Sequence, residues 1–557
     1  MIFSFDRAAE ANVVTSATAL LLAMAVVSYR LWRAGESSRM RNFVRGKSGL
    51  PSPMPALPSR GFGAIGGHTL VMQKGKSVAQ IEGWAEEFGG DFELSLVGTK
   101  LVCVTGLADI RRIMTLRPAK FKRGLVANQS EWAGRQLGVN NAMFNQEGKA
   151  WGRSRRLISP NLIGHNLTAM LPVISKVGER FCAMLEGKAD RGEVVKASDS
   201  FARFTHDTIA LAAFGLDVGS ITATPDRPCH SYDAIETKTT AYRKLIGEPL
   251  AMWQWTFLPT LPWVRRTKEH GRRLEKTLQG AIDALRLQAE TPEAPGAPAA
   301  GDVGAGGTLL RRVIRAANLK SSLSDRNSFS DEEILHEATS LFVAGTETTA
   351  ISLCWAMYYL TKRRDVFLRC RAEGLRVAPS SDGMVSTAEQ LSQLEFCSAV
   401  FKEALRLRTA APVVTLNCTE DYTLDSGIII KEGAGVIVLT RAAGISEEFF
   451  TRGKEFVPER WIEAERAEAL LGKGGLQGGK RSVAHEEKAF LPLGHGPRIC
   501  PGQDMAKAEG AIMIAALCAR FDFSLAPGQA DPPEEVASFT CGPEEFDMIF
   551  ARREKNT

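Results

Sequence analysis

No C-x-x-C pair occurs among the ten cysteines, which argues against a disulfide scaffold or a zinc ribbon. Charge of one sign is also scarce: a net +6 over 557 residues gives no reason to expect wrapped nucleic acid. The chain carries no dinucleotide-binding glycine fingerprint and leaves no room for flavin domains. With 44% hydrophobic and 24% charged residues, the composition excludes a disordered, collagen-like or multi-span membrane protein. What is present is ordinary globular text, long for one domain against a norm of ~100–200 residues. Cys103, Cys354, Cys370, Cys397 and Cys518 sit among apolar residues and read as small buried hydrophobes, consistent with a reducing compartment.

The N-terminus stands apart. Ala11 to Tyr29 runs for 19 residues without a charge, close to the ~20 that span a bilayer as a helix. Asp6 and Glu10 precede it, and Arg30, Arg33, Arg39, Arg41, Arg45 and Lys47 follow. That order is the reverse of a cleaved signal peptide, and the positive side belongs in the cytoplasm. The expectation is a single-pass anchor with the body in the cytosol. Leu50 to Pro58 then places a proline at almost every second position, a stiff extended strap. The expected division is 1–29 as anchor region, 30–58 as basic and proline-rich linker, and 59–557 as the globular body.

Asp91 to Thr105 alternates apolar and polar residues around Gly98 and predicts a β-hairpin. From about residue 108 the periodicity is mostly helical. The longest helix opens at Ser330, where Ser330 and Glu333 form a capping box, and runs without proline to about Arg364. Glu290–Gly307 and Leu471–Lys480 read as low-complexity inserts. Gly474, Gly479 and Lys480 imitate a phosphate loop, but Arg481 stands where a magnesium-binding hydroxyl is needed. The fold class expected is mainly α with small β-sheets.

The sharpest local signal is F-L-P-L-G-H-G-P-R-I-C-P-G at Phe490 to Gly502. Cys500 lies in a loop of glycines and prolines immediately before an apolar helix. Loop N–H groups and the helix's positive end would favour a thiolate there. A lone cysteine of this kind is a turn residue or the axial ligand of a haem iron. In the long helix, Ala344 to Thr349 reads A-G-T-E-T-T, a polar group that is either an exposed stripe or a functional break. Glu403 and Arg406 form E-x-x-R, F-V-P-E-R-W at Phe456 to Trp461 supplies Arg460, and Trp151 and Arg155 form W-x-x-x-R.

These blocks, in their chain order from Trp151 to Gly502, resemble the cytochrome P-450 family, whose haem signature F-x-x-G-x-R-x-C-x-G matches at Gly496, Arg498, Cys500 and Gly502, with Phe490 and Gly494 matching upstream. The resemblance implies haem b held between the long helix and the cysteine-loop helix, with Cys500 as axial ligand. It implies propionate contacts from Trp151, Arg155 and Arg498, and a structural cluster of Glu403, Arg406 and Arg460. Ala344 and Gly345 would border the cofactor where the helix opens locally, with Thr348 facing dioxygen and Glu347 feeding protons. Two departures stand out: Leu493 replaces the signature's first Phe, and Leu416 stands where many members carry another propionate arginine.

The implied activity is a monooxygenation of a lipophilic substrate such as a fatty acid, sterol or terpenoid. Electrons would come from NADPH through a separate reductase, or from a cytochrome b5-like donor. The implied location is the endoplasmic reticulum membrane. A docking face for an acidic partner is expected at Lys149, Arg153, Arg156, Lys488 and Lys507, and a membrane-dipping loop at Trp253, Trp255, Phe257 and Trp263. The expected pocket draws on Val126 to Asn141, Tyr242 to Phe257, Phe342, Ala344, Ala411 to Val414 and Phe539 to Cys541. A non-oxygenating isomerase or dehydratase of the same fold, which would usually lack the acid–alcohol pair, and a haem-binding sensor, which would need no donor face, are the alternatives.

Overall fold

The computed structural model describes residues 75–96, 99–123, 137–138, 142–247, 251–290, 308–320, 329–462, 488–537 and 540–554. The expected anchor, the proline strap, nearly all of the 290–307 insert and the 471–480 insert fall outside them. Among the described residues no helix is long and apolar enough to cross a membrane.

Helix α1 (Ser77–Phe88) leads into the hairpin β1 (Phe92–Leu96) and β2 (Thr99–Val104), paired antiparallel as the alternation predicts. Helix α2 (Leu107–Thr115) and strand β3 (Phe121–Arg123) follow, then α3 (Gly148–Ile158), α4 (Gly164–Asp190), β4 (Val195–Lys196) and α5 (Ala197–Phe214). Next come α6 (His230–Gly247), α7 (Ala251–Phe257), α8 (Pro262–Glu290) and α9 (Leu309–Lys320). The central helix α10 (Asp331–Lys362) is succeeded by α11 (Arg364–Val377) and α12 (Glu395–Leu407). Strands β5 (Val413–Cys418), β6 (Tyr422–Thr423), β7 (Ile429–Ile430) and β8 (Gly435–Leu439) precede the loop at Phe490 and helix α13 (Gln503–Arg520). Strands β9 (Phe521–Leu525), β10 (Glu535–Ala537), β11 (Cys541–Pro543) and β12 (Asp547–Arg552) close the chain.

The main sheet has the order β1-β2-β8-β5-β3, with β2 and β8 parallel and the other neighbours antiparallel. Its last pairing sets Arg123 opposite Leu416. Elsewhere the fold is helical. α10 packs against α5, α12 and α13, and its side chains Phe342, Leu353, Trp355, Ala356 and Met357 are almost wholly buried. The capping box is made: Glu333 N–H donates to the Ser330 hydroxyl at 3.2 Å and Ser330 N–H to the Glu333 carboxylate at 2.9 Å. This satisfies orphan donors at the start of a 32-residue helix that has no proline to stop it.

One expectation fails here. α10 runs unbroken through Gly345, with no local opening. Its hydroxyls bond back along the helix, Thr339 to the Leu335 carbonyl, Thr348 to Ala344 and Ser352 to Thr348, so they are satisfied within an uninterrupted helix.

Candidate functional site

All ten cysteines are free, and Cys500 alone among them is not fully buried. Its loop is folded by backbone geometry. Cys500 N–H donates to the Leu493 carbonyl at 2.8 Å and Gly494 N–H to Leu491 at 3.0 Å. Because the Leu493 contact uses the carbonyl, replacing the usual Phe there leaves the turn intact. Gly496 has φ +68, and a Cβ on it would lie 2.6 Å from the Met114 carbonyl oxygen and 2.9 Å from the Thr115 Cα at the end of α2. Only glycine meets both demands. Gly502 is the N-cap of α13. Phe490 packs edge-on against Trp461 with ring centroids 5.2 Å apart.

Burial pushes the Cys500 thiol above its ordinary value, against the Gly502 N–H and the Arg155 and Lys507 charges that favour the thiolate. The stabilising groups expected from the sequence are therefore present, but desolvation outweighs them. A sulfur so placed stays protonated until a cation coordinates it.

Around this loop the sequence-predicted residues converge. α3 carries both Trp151 and Arg155. Arg155 donates from Nη1 to the Ile499 carbonyl at 2.7 Å, one residue from the cysteine. The Arg498 guanidinium lies over the Trp151 ring at 4.5 Å and donates to the Gln146 carbonyl at 2.6 Å and to the Glu147 carboxylate. Sequence reasoning missed two further arginines here, Arg117 and Arg123. Burial first, and neighbouring guanidiniums second, push Arg117 down to about 10 and Arg123 down to about 9. Burial also lowers Arg498. The Nε atoms of Arg117, Arg123 and Arg498 are all buried without a hydrogen-bond partner. Three crowded cations sharing Glu147, with orphaned donors, form an electropositive cradle that fits a ligand bearing carboxylates. The residues thus suit a haem with its two propionates. Arg123 stands opposite Leu416 in the sheet, so positive charge is supplied from β3 where β5 lacks it.

On α10, Ala344 is exposed and Thr348 donates from its hydroxyl to the Ala344 carbonyl at 2.7 Å. Glu347 pairs with Arg243 of α6 through Oε1, while its buried Oε2 has no partner. Phe342 does not line a pocket as expected. It is wholly buried, stacked on Phe214 at 4.6 Å and tilted against His206 at 5.2 Å, so it faces α5. Most of the Val126 to Asn141 segment, together with Phe539, lies outside the described residues.

Glu403 is fully buried and accepts from Arg406 at 2.7 and 2.9 Å, Arg460 at 3.0 Å, Val457 N–H at 2.9 Å and the Trp461 indole at 2.8 Å. Burial opposes its charge, but Arg406 and Arg460 prevail and hold the carboxyl below the ordinary range. Arg406 also bonds the carbonyls of Gly444, Gly453 and Glu455, so the cluster pins the segment ahead of the cysteine loop.

Two surface expectations change. Trp255 is buried, 3% exposed, in a satellite core with Leu137, Tyr242 and Val264, so the exposed apolar tip of this region is Phe257, at 64%, with Leu258. Among the docking cations, Lys149, Arg156 and Lys488 are exposed, whereas Arg153 is taken by Glu333.

A family model for Cytochrome P450 matches residues 57–550. The carotene epsilon-monooxygenase of Arabidopsis thaliana is 24% identical over 80% of this chain and 77% of its own. The echinocystic acid 23-monooxygenase of Saponaria officinalis is 25% identical over 74% of this chain and 73% of its own. Among solved structures, the cytochrome P450DA heme domain superposes with a TM-score of 0.72 at 21% identity, covering 91% of this chain and 98% of that one.

Proposed function

The chain belongs to the cytochrome P450 family, whose cofactor is haem b and whose chemistry incorporates oxygen, and on that premise we propose how its residues divide the work. Cys500 would bind the haem iron through its sulfur, Arg117, Arg123, Arg155 and Arg498 with Trp151 would hold its carboxylates, and Glu347 with Thr348 would deliver protons. The observation that carries this reading is the pairing of a lone loop cysteine with a cradle of buried guanidiniums whose Nε donors have no partner. When bound, the haem supplies the oxygen chemistry, helped by electron density from the sulfur.

The chain's own share is positioning and proton traffic. Arg155 ties α3 to the backbone beside the ligand, which fixes the loop against the helix. The Glu347 Oε2, buried and without a partner, is the atom free to hold a proton, while Oε1 stays tethered to Arg243. The Thr348 hydroxyl is held by the Ala344 carbonyl one turn back and passes a proton on. Overall, substrate, dioxygen, two electrons and two protons give hydroxylated product and water.

The substrate is lipophilic, with fatty acids, sterols and terpenoids as the classes to screen; relatives named for carotene and echinocystic acid support this. A separate NADPH-dependent reductase, or a cytochrome b5-like donor, brings the electrons to the face of Lys149, Arg156 and Lys488. The uncharged segment 11–29 anchors the protein in the endoplasmic reticulum membrane with the body in the cytosol, and Phe257 and Leu258 add an apolar contact. The test is turnover of the reconstituted, haem-loaded protein with reductase and NADPH on a lipid extract, read by mass spectrometry. A product one oxygen heavier than a substrate supports the reading. Rearranged or dehydrated products without NADPH use would replace it with an isomerase or dehydratase.

A further inference from the structure

The α10 turn that bears Glu347 and Thr348 is gripped from behind by one face of α5. Thr205 and His206 are neighbours on α5, and both reach Thr346. The Thr205 hydroxyl donates to the Thr346 carbonyl at 2.5 Å, closer than its 3.0 and 3.1 Å contacts with the carbonyls of Phe201 and Ala202 in its own helix. A hydroxyl has one proton to give, so the bond across to α10 forms at the expense of those within α5. His206 is 0% exposed. Its Nδ1 lies 3.2 Å from the Thr346 hydroxyl and its Nε2 2.9 Å from the Ser231 hydroxyl at the start of α6. Burial, then the Arg203 charge, lowers the imidazole to about 3, so the ring is neutral, with one nitrogen donating and the other accepting. One turn along α5, Ile209 Cγ1 sits 3.0 Å from where a Cβ on Gly345 would stand, which marks a close approach of the two helices.

These contacts converge on two residues, Gly345 and Thr346, immediately before the acid and the alcohol. The Thr346 carbonyl is the acceptor that helical geometry assigns to the Ala350 N–H. A second donor from α5 draws that oxygen sideways and fixes the roll of the turn, because a carbonyl can serve two donors at once. Rolling the helix by a few degrees would carry the Glu347 and Thr348 side chains off line, and a displacement of ~1 Å can cost ~100-fold in a positioned reaction.

We propose that Thr205 and His206 are positioning residues for the oxygen chemistry: through Thr346 they set the direction in which Glu347 and Thr348 point. The proposal rests on the relay reading of those two residues.

The test uses the full-length, haem-loaded protein with its reductase, as wild type, Thr205→Val, Thr205→Ser, His206→Leu and His206→Asn. Two quantities are read: product formed per NADPH consumed, and amide exchange of the 343–351 segment by mass spectrometry. Thr205→Val keeps shape and haem content, lowers product per NADPH by about threefold or more, and speeds exchange of the segment by about tenfold. Thr205→Ser restores both. His206→Leu acts in the same direction and His206→Asn, which keeps a polar atom near Thr346, restores part of the loss. Unchanged coupling in Thr205→Val and His206→Leu, or equal loss in Thr205→Val and Thr205→Ser, overturns the proposal. If the wild type makes no oxygenated product, the relay reading fails, and the exchange data alone decide whether α5 holds the turn.

Discussion

Replacing Gly496 with Ala tests how the cysteine loop is built. Two costs are legible at this position. At φ +68 an L-residue pays ~1–2 kcal/mol for the left-handed conformation. The added Cβ would also meet the Met114 carbonyl oxygen at 2.6 Å and the Thr115 Cα at 2.9 Å, backbone atoms that cannot rotate away. Pushing α2 aside belongs with overpacking, ~1–3 kcal/mol. The sum is ~2–5 kcal/mol, concentrated where the loop must hold its sulfur. A second glycine separates the parts. Gly427 has φ +82 with nothing within 4 Å of its Cβ position, so Gly427→Ala shows the conformational cost alone. Thermal unfolding and haem content, measured side by side, should show more damage in Gly496→Ala than in Gly427→Ala. Gly496→Ala should lose several degrees and much of its haem, since ~1 kcal/mol moves a domain of this size by only a degree or so. If Gly496→Ala behaves like Gly427→Ala, the close approach of α2 is not what selects glycine there.

Other outcomes follow from the same contacts. Glu403→Ala leaves Arg406 and Arg460 buried without their carboxylate and should cost ~3–5 kcal/mol by denaturant unfolding, with haem lost at lower denaturant; a loss under ~1 kcal/mol would refute the cluster's role. Because the Glu403 carboxyl is held below its ordinary value, its stabilisation is complete above ~4.5 and fades as pH falls through the lower folded value. Glu509 is the opposite case: buried, with Oε2 unpartnered, it is raised by burial to about 8. The unfolded chain then holds fewer protons than the folded one between pH ~4.5 and ~8, so stability falls with rising pH, and Glu509→Gln should gain roughly 3 kcal/mol more at pH 9 than at pH 6. A gain that does not change with pH would contradict this. Thr348→Ala should keep haem content and substrate binding, with a folding cost of about 1 kcal/mol at most. Its NADPH use should yield less product and more hydrogen peroxide; equal yields would remove the hydroxyl from the relay.

Much of this architecture was legible in the sequence where a local rule forces the residue. The Ser330–Glu333 box, the antiparallel pairing of β1 with β2 and the glycine-rich loop at Cys500 are of that kind. Glu403, Arg406 and Arg460 were legible through resemblance, and the structure joins them in one buried cluster. What could not be read depends on tertiary neighbours. Arg117 and Arg123 are unremarkable in their own text, and become part of the site only because β3 pairs with β5 and the cysteine loop packs nearby. Phe342 was assigned to a pocket by family analogy and Trp255 to a membrane loop by residue type, yet each has aromatic partners that turn it inward. The local opening expected at Gly345 rested on the family resemblance and on glycine's weak helix propensity. Yet α10 is continuous there, with Thr348 bonded back to the Ala344 carbonyl and Thr205 of α5 donating to the Thr346 carbonyl.

The central claim, a haem held by the Cys500 sulfur, is tested most directly by the visible spectrum of the reduced, carbon monoxide-bound protein. The wild type should show the strongly red-shifted band of thiolate ligation, and Cys500→Ser should lose it while Cys397→Ala and Cys418→Ala keep it. A band that survives unchanged in Cys500→Ser would contradict the account.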